Sequence, residues 1–139
     1  MDKVKITVSA RQKGTDGRLE TVRHQAEGSY TLKGSRHYIR YLDKHIDSKD
    51  HVPTTIKVRE DELVLIRQGS VTARQSFRPG FDTRGGYETP YGTMELVMHT
   101  HRLESDFGTD QGIIHLDYSL QADGSLVGEY ELEIRLAAI

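Results

Sequence analysis

Histidine is the residue type whose spacing here comes nearest to recognisable chemistry. Seven are present, and His99-Thr100-His101 sets two imidazoles two positions apart. On a β-strand such positions share a face. His115 and Asp117 repeat the spacing further along the chain. A hairpin turning at residue 108 sets His101 opposite His115 and His99 opposite Asp117. Three imidazoles and a carboxylate then converge, a donor set suited to zinc, iron or nickel. Met94, Leu96 and Met98 claim the interior of that strand, however, and turn the histidines outward, where an open sheet rarely builds a closed metal cage. The expectation is no cofactor and no resident metal, with His99, His101, His115 and Asp117 as the residues a metal would use.

The second set is polar and in phase with the core. His24, Tyr30, Thr100, Tyr118 and Tyr130 fall on the apolar phase of their segments, Arg67 follows Leu63 and Leu65, and Gln75 precedes Phe77. An ionised Arg is costly to bury unless it is paired. Arg67 can counter an anion while tyrosine hydroxyls satisfy its oxygens, so these residues suit a small carboxylate-bearing ligand. The third set is the segment 79–92, in which Tyr87 and Tyr91 bracket Thr89-Pro90. Proline stiffens itself and its neighbour. A stiff aromatic loop can cap a barrel mouth or contact a partner. Arg67, Tyr87, Thr89, Tyr91, Tyr118 and Tyr130 are the expected ligand-binding residues, and no catalytic residue is assigned. No phosphate-cradling loop and no G-x-S-x-G elbow occurs in the chain.

The elements that must position these groups are strands. Val4, Ile6, Val8 and Ala10 alternate with Lys, Thr, Ser and Arg, and Gly128, Tyr130, Leu132, Ile134 and Leu136 alternate with Glu and Arg. This period of two marks half-buried strands. The pattern predicts nine, near 3–12, 19–33, 36–43, 54–60, 62–68, 71–78, 91–104, 112–122 and 125–136. Asp16-Gly17 and Asp123-Gly124 are dipeptides favoured by tight hairpin turns. Two connections are longer, the polar 44–53 and the aromatic 79–92. Consecutive antiparallel strands with one apolar face close into a barrel or pack as two sheets. Short sequential hairpins and long strands favour the barrel, which also leaves no open edge.

Composition agrees. The chain has 139 residues, enough for one domain over 1–139, and a hydrophobic share of 35% that suits strands with one apolar face. The absence of Cys excludes disulfides, thiolate nucleophiles and Cys-ligated metals. A net charge of -2 argues against a general nucleic-acid binder. No apolar run is long enough for a membrane helix, and the alternating N-terminus lacks a signal-peptide core, so the expected location is cytoplasmic, with no membrane partner.

Several blocks resemble a known family. Phe77-Arg78-Pro79-Gly80 and Tyr87-Glu88-Thr89-Pro90-Tyr91-Gly92 resemble the signature of the YwiB-like family of uncharacterised bacterial proteins. Tyr38-Ile39-Arg40-Tyr41, Thr54-Thr55-Ile56-Lys57, Ile66-Arg67-Gln68-Gly69 and Asp117-Tyr118-Ser119-Leu120 follow in the same sense. The family tends to carry acidic residues after the Tyr-x-x-Tyr block, where this chain has Leu42-Asp43-Lys44. The resemblance implies a lipocalin-like (calycin) barrel and no established activity. Together these readings give an all-β, single antiparallel up-and-down barrel of about eight to ten strands. Its expected function is to bind a small, possibly anionic ligand in the barrel or at its mouth without catalysis. The alternatives are a protein- or RNA-contacting module built on 79–92 and, last, a metal-assisted enzyme on the histidine face. Val97, Leu103 and Ile113, in outward phase, suggest a homodimer surface.

Overall fold

The computed structural model describes residues 1–44 and 51–139, so most of the 44–53 connection lies outside the described residues. They form ten strands in chain order: β1 (Lys3–Gly14), β2 (Leu19–Lys33), β3 (Arg36–Asp43), β4 (Val52–Arg59), β5 (Glu62–Gln68), β6 (Thr72–Phe77), β7 (Asp82–Thr89), β8 (Gly92–Phe107), β9 (Gln111–Ala122) and β10 (Ser125–Ala138). Each pairs antiparallel with its sequence neighbours, and β1 pairs with β10 to close the barrel. Among the described residues no helix is long and apolar enough to cross a membrane.

Alternation fills the lumen as expected. Val4, Ile6, Ile39, Ile56, Val58, Phe77, Met98, Ile114, Leu116, Ile134 and Leu136 are buried in one cluster. The charged residues of the opposite phase face water. Asp123 and Gly124 take positive φ values of 49° and 83°. Both central positions of a tight hairpin turn need such values, and Gly bears them at no steric cost.

The strand absent from the sequence reading is β7, which occupies most of the segment expected to be a loop. Its half-buried positions are Thr83, Gly85, Tyr87 and Thr89, which alternate correctly but include no aliphatic residue. Only Thr72–Arg74 of β6 pair with it, opposite Gly86–Glu88. Beyond that stretch the Thr83 hydroxyl takes over by donating to the Ser76 carbonyl. Gly85 is required here, because a Cβ would stand 2.2 Å from the Arg74 carbonyl oxygen.

A second departure lies in β8. The register against β9 shifts between Thr100 and Arg102, leaving His101 as the extra residue of a β-bulge. One extra residue reverses the phase of everything after it. Leu103, expected outside at a dimer surface, is therefore inside and only 9% exposed. That surface loses its central apolar residue.

Three substitutions test this framework. Gly85→Ala should cost about 1–3 kcal/mol through overpacking against β6. Gly86→Ala, whose Cβ would meet nothing within 4 Å, should stay within about 0.5 kcal/mol. Leu103→Ala should cost about 2–5 kcal/mol, as a core truncation does, whereas an outward Leu103 would give almost no change. Urea unfolding midpoints at constant slope measure all three.

Candidate functional site

In an up-and-down barrel successive hairpins lie at alternate ends. The β1–β2, β5–β6, β7–β8 and β9–β10 turns share one end, here the tyrosine end. The β2–β3, β4–β5, β6–β7 and β8–β9 turns and both described termini share the histidine end. All six expected ligand residues come from the half of a strand, or the turn, nearest the tyrosine end.

Three of them are brought together. Arg67 points inward near the end of β5, opposite Thr54 on β4 and Ala73 on β6. Tyr118 on β9 stacks on Tyr130 of β10 with ring centroids 5.1 Å apart and planes 6° from parallel. Phe77 tilts against the same Tyr118 ring at 4.7 Å. Arg67 is close enough to Tyr118 to act on its ionisation. The other three play different parts. Tyr87 is half-buried in the wall and packs against the core. Thr89 shapes its turn, its hydroxyl donating to the Gly92 carbonyl at 3.2 Å and accepting from the Tyr91 amide at 3.1 Å. Tyr91 is 99% exposed at the turn's tip and covers nothing.

The Arg67 charge has an answer inside the protein. Its Nη2 lies 3.6 Å from Oδ2 of Asp43, which is 2% exposed at the end of β3. Arg67 Nε is buried with no hydrogen-bond partner among the described residues. Tyr41, two residues before Asp43 and on the same face, is also buried, and the Thr54 hydroxyl beside it donates to the Val52 carbonyl at 3.1 Å. Asp43 and Tyr41 were the residues sequence reasoning missed as members of this cluster. The available signal was phase, since both alternate with Ile39 on the inward side of β3. On the outer wall beside Arg67, Ile66, Gln68, Thr72, Arg74, Gly86 and Glu88 line a recess of about 250 Å³.

The histidine pairing that a metal would use does not assemble. The bulge puts Ser119 opposite His99, Arg102 opposite Asp117 and Glu104 opposite His115. His99 Nδ1 donates to Asp82 Oδ1 at 2.6 Å, and His101 Nε2 to the Ser119 hydroxyl at 2.7 Å. Among the described residues no group of three or more His, Asp or Glu could hold a metal ion. Nor is 79–92 one contact surface. Exposed Phe81 lies at the histidine end under Arg78, while Tyr91 lies across the barrel, and Arg84 between them is paired with Glu95 at 2.6 Å.

Burial raises the pKa of Tyr41 from the ordinary 10.0 to about 12, with Asp43 adding to the rise and Arg67 opposing it. Burial, reinforced by Tyr130, pushes Tyr118 further up, again against Arg67. A phenol with a higher pKa folded than unfolded holds its proton more tightly in the native state. That stabilisation is complete below about pH 10 and is lost as pH climbs through about 12. Tyrosinate absorbance and circular dichroism should therefore show these two phenols ionising together with loss of the fold. Tyr118→Phe should move the alkaline midpoint upward, relative to its neutral-pH stability. Free titration of all tyrosines near pH 10 in the intact barrel would contradict the burial.

The family model described as "Domain of unknown function (DUF1934)" matches residues 4–134. The uncharacterised β-barrel protein YwiB of Bacillus subtilis (strain 168) is 31% identical over 105 residues, covering 76% of this chain and 72% of that protein. The crystal structure of the ywiB protein from Bacillus subtilis superimposes with a TM-score of 0.89 at 25% identity, covering 99% of this chain and 92% of that one. The closed barrel, the family match and the curated relative agree, and the chain belongs to the YwiB-like, DUF1934 family of β-barrel proteins.

Proposed function

We propose that this barrel is a cytoplasmic small-molecule binder, without catalysis, that takes a carboxylate-bearing ligand at its tyrosine end in the manner of lipocalin-like barrels. The observation that supports this reading is Arg67. Its guanidinium is held inside the wall, its contact to Asp43 is a long 3.6 Å, and its Nε–H is without a partner among the described residues. A guanidinium carries five donors, and a planar carboxylate is the acceptor that matches two of them at once. The stacked Tyr118 and Tyr130 offer a flat surface and hydroxyl groups beside it. Asp43 keeps the empty site neutral, so a charge is not left buried between binding events.

Arg67→Met keeps the aliphatic bulk and removes the donors. A thermal-shift screen of small mono- and dicarboxylates should find members that raise the melting temperature of the native protein and leave Arg67→Met unmoved. A screen without any response, or a response that survives the substitution, refutes the reading. Stability supplies a parallel test. Arg67→Met alone should cost about 3–5 kcal/mol by taking away the ion-pair partner of a buried carboxylate, and adding Asp43→Leu should recover most of it.

A further inference from the structure

The histidine end carries its own constellation. Tyr30 near the end of β2 and His37 at the start of β3 face inward there, and the His101 bulge turns Phe107 of β8 in to meet them. The His37 ring lies flat on Phe107, centroids 3.8 Å apart and planes 8° from parallel, with Tyr30 stacked on the same phenyl ring at 5.7 Å. Gly112 on β9 leaves room for Phe107, since a Cβ there would come within 2.7 Å of the ring. The Tyr30 hydroxyl and His37 Nδ1 share a hydrogen bond of 2.6 Å, in which the phenol, a stronger acid than a neutral imidazole N–H, is assigned as donor. Burial lowers the pKa of His37, so its ring is neutral near pH 7. With Nδ1 accepting, the ring proton sits on Nε2, which makes no hydrogen bond among the described residues.

His37, Leu103 and Phe107 line a cleft of about 810 Å³, bounded by Ser105 and by Glu60 and Glu104. Cleft-lining Arg59 is already engaged by Asp61 at 3.1 Å and Glu62 at 3.5 Å. Glu60 has no ion-pair partner among the described residues. The cleft thus combines aromatic rings, one N–H donor and the Glu60 carboxylate as acceptor at its rim, Glu104 being engaged by Arg102 at 2.7 Å, within the size range of small-molecule sites, about 300–1,000 Å³.

We propose that this mouth binds a planar nitrogen heterocycle whose edge sets a carbonyl oxygen beside N–H donors, the lactam edge of a guanine-type base. The heterocycle lies edge-on to the His37–Phe107 pair, in the plane of the imidazole. There its carbonyl accepts from His37 Nε2–H, and its N–H and amino groups meet Glu60. Tyr30 is a positioning residue that holds the imidazole in the donating tautomer. Nothing in this site involves Arg67, so it stands apart from the carboxylate reading.

Guanosine and adenosine, added separately to the full chain, are the probes, read by saturation-transfer NMR and calorimetry. Guanosine should bind, and adenosine, which lacks the carbonyl, about tenfold more weakly. Phe107→Leu and His37→Gln should each weaken guanosine binding by about tenfold or more. The Glu60→Gln variant changes only the rim, leaves the core intact, and should weaken it as well. Arg67→Met should bind guanosine as the native protein does. Absence of guanosine binding at millimolar concentration overturns the proposal. So does binding that the rim variant leaves unchanged, or equal binding of the two nucleosides.

Discussion

The pairing of β1 with β10 is the constraint on which the rest of the molecule depends. From Val4 opposite Ala138 to Gly14 opposite Gly128, the first and last described strands run together along their length. Closure leaves no unpaired edge, and it fixes the parity of every strand at once. An inward position on β1 must be inward on β2 and β10, and so on around the ring. Gly128 marks how tight the seam is, since a Cβ there would sit 2.3 Å from the Lys13 carbonyl oxygen. Side chains that enter the lumen do so because the ring gives them no other side to take. Polar ones must find partners there or pay in desolvation.

The lumen divides its chemistry by height. Aliphatic side chains of nearly every strand fill the middle, the stretch in which Ile6, Ile39, Ile56, Ile114 and Ile134 are all but inaccessible. Toward one end the polar residues gather around the Arg67–Asp43 pair, and toward the other around the Tyr30–His37 hydrogen bond. The ends are where strands diverge, water approaches and buried polarity costs least, so two separate polar mouths follow from a packed waist.

The sequence made most of this legible because alternation is a direct record of a strand's two faces. The nine expected strands lie within about three residues of where the alternation of Val, Ile and Leu put them, β4 starting earlier, at Val52, and β8 running on to Phe107. β7 was hidden because Thr83, Gly85, Tyr87 and Thr89 carry the right period without aliphatic side chains, between prolines and glycines that read as turn. The tyrosine–arginine cluster was visible in outline, since Arg67, Tyr118 and Tyr130 are in phase with the core. Asp43 was not, because an acidic residue at a strand end reads as solvated until its phase is compared with Tyr41. The histidine register was misjudged for a different reason. A bulge is one residue among sixteen, and no local signal in Met98–Arg102 announces it.

That bulge has a consequence for how chains of this kind can diverge. Outward positions accept almost any polar substitution, but a strand in a closed ring cannot gain or lose a single residue without inverting its remainder. His101 is an insertion already absorbed, and the aromatic pair of the histidine end is read in the parity it created. A descendant that loses this one residue must regain it elsewhere in the same strand or rebuild the end of its barrel. The length of β8 is therefore more tightly constrained by closure than the identity of its outward residues.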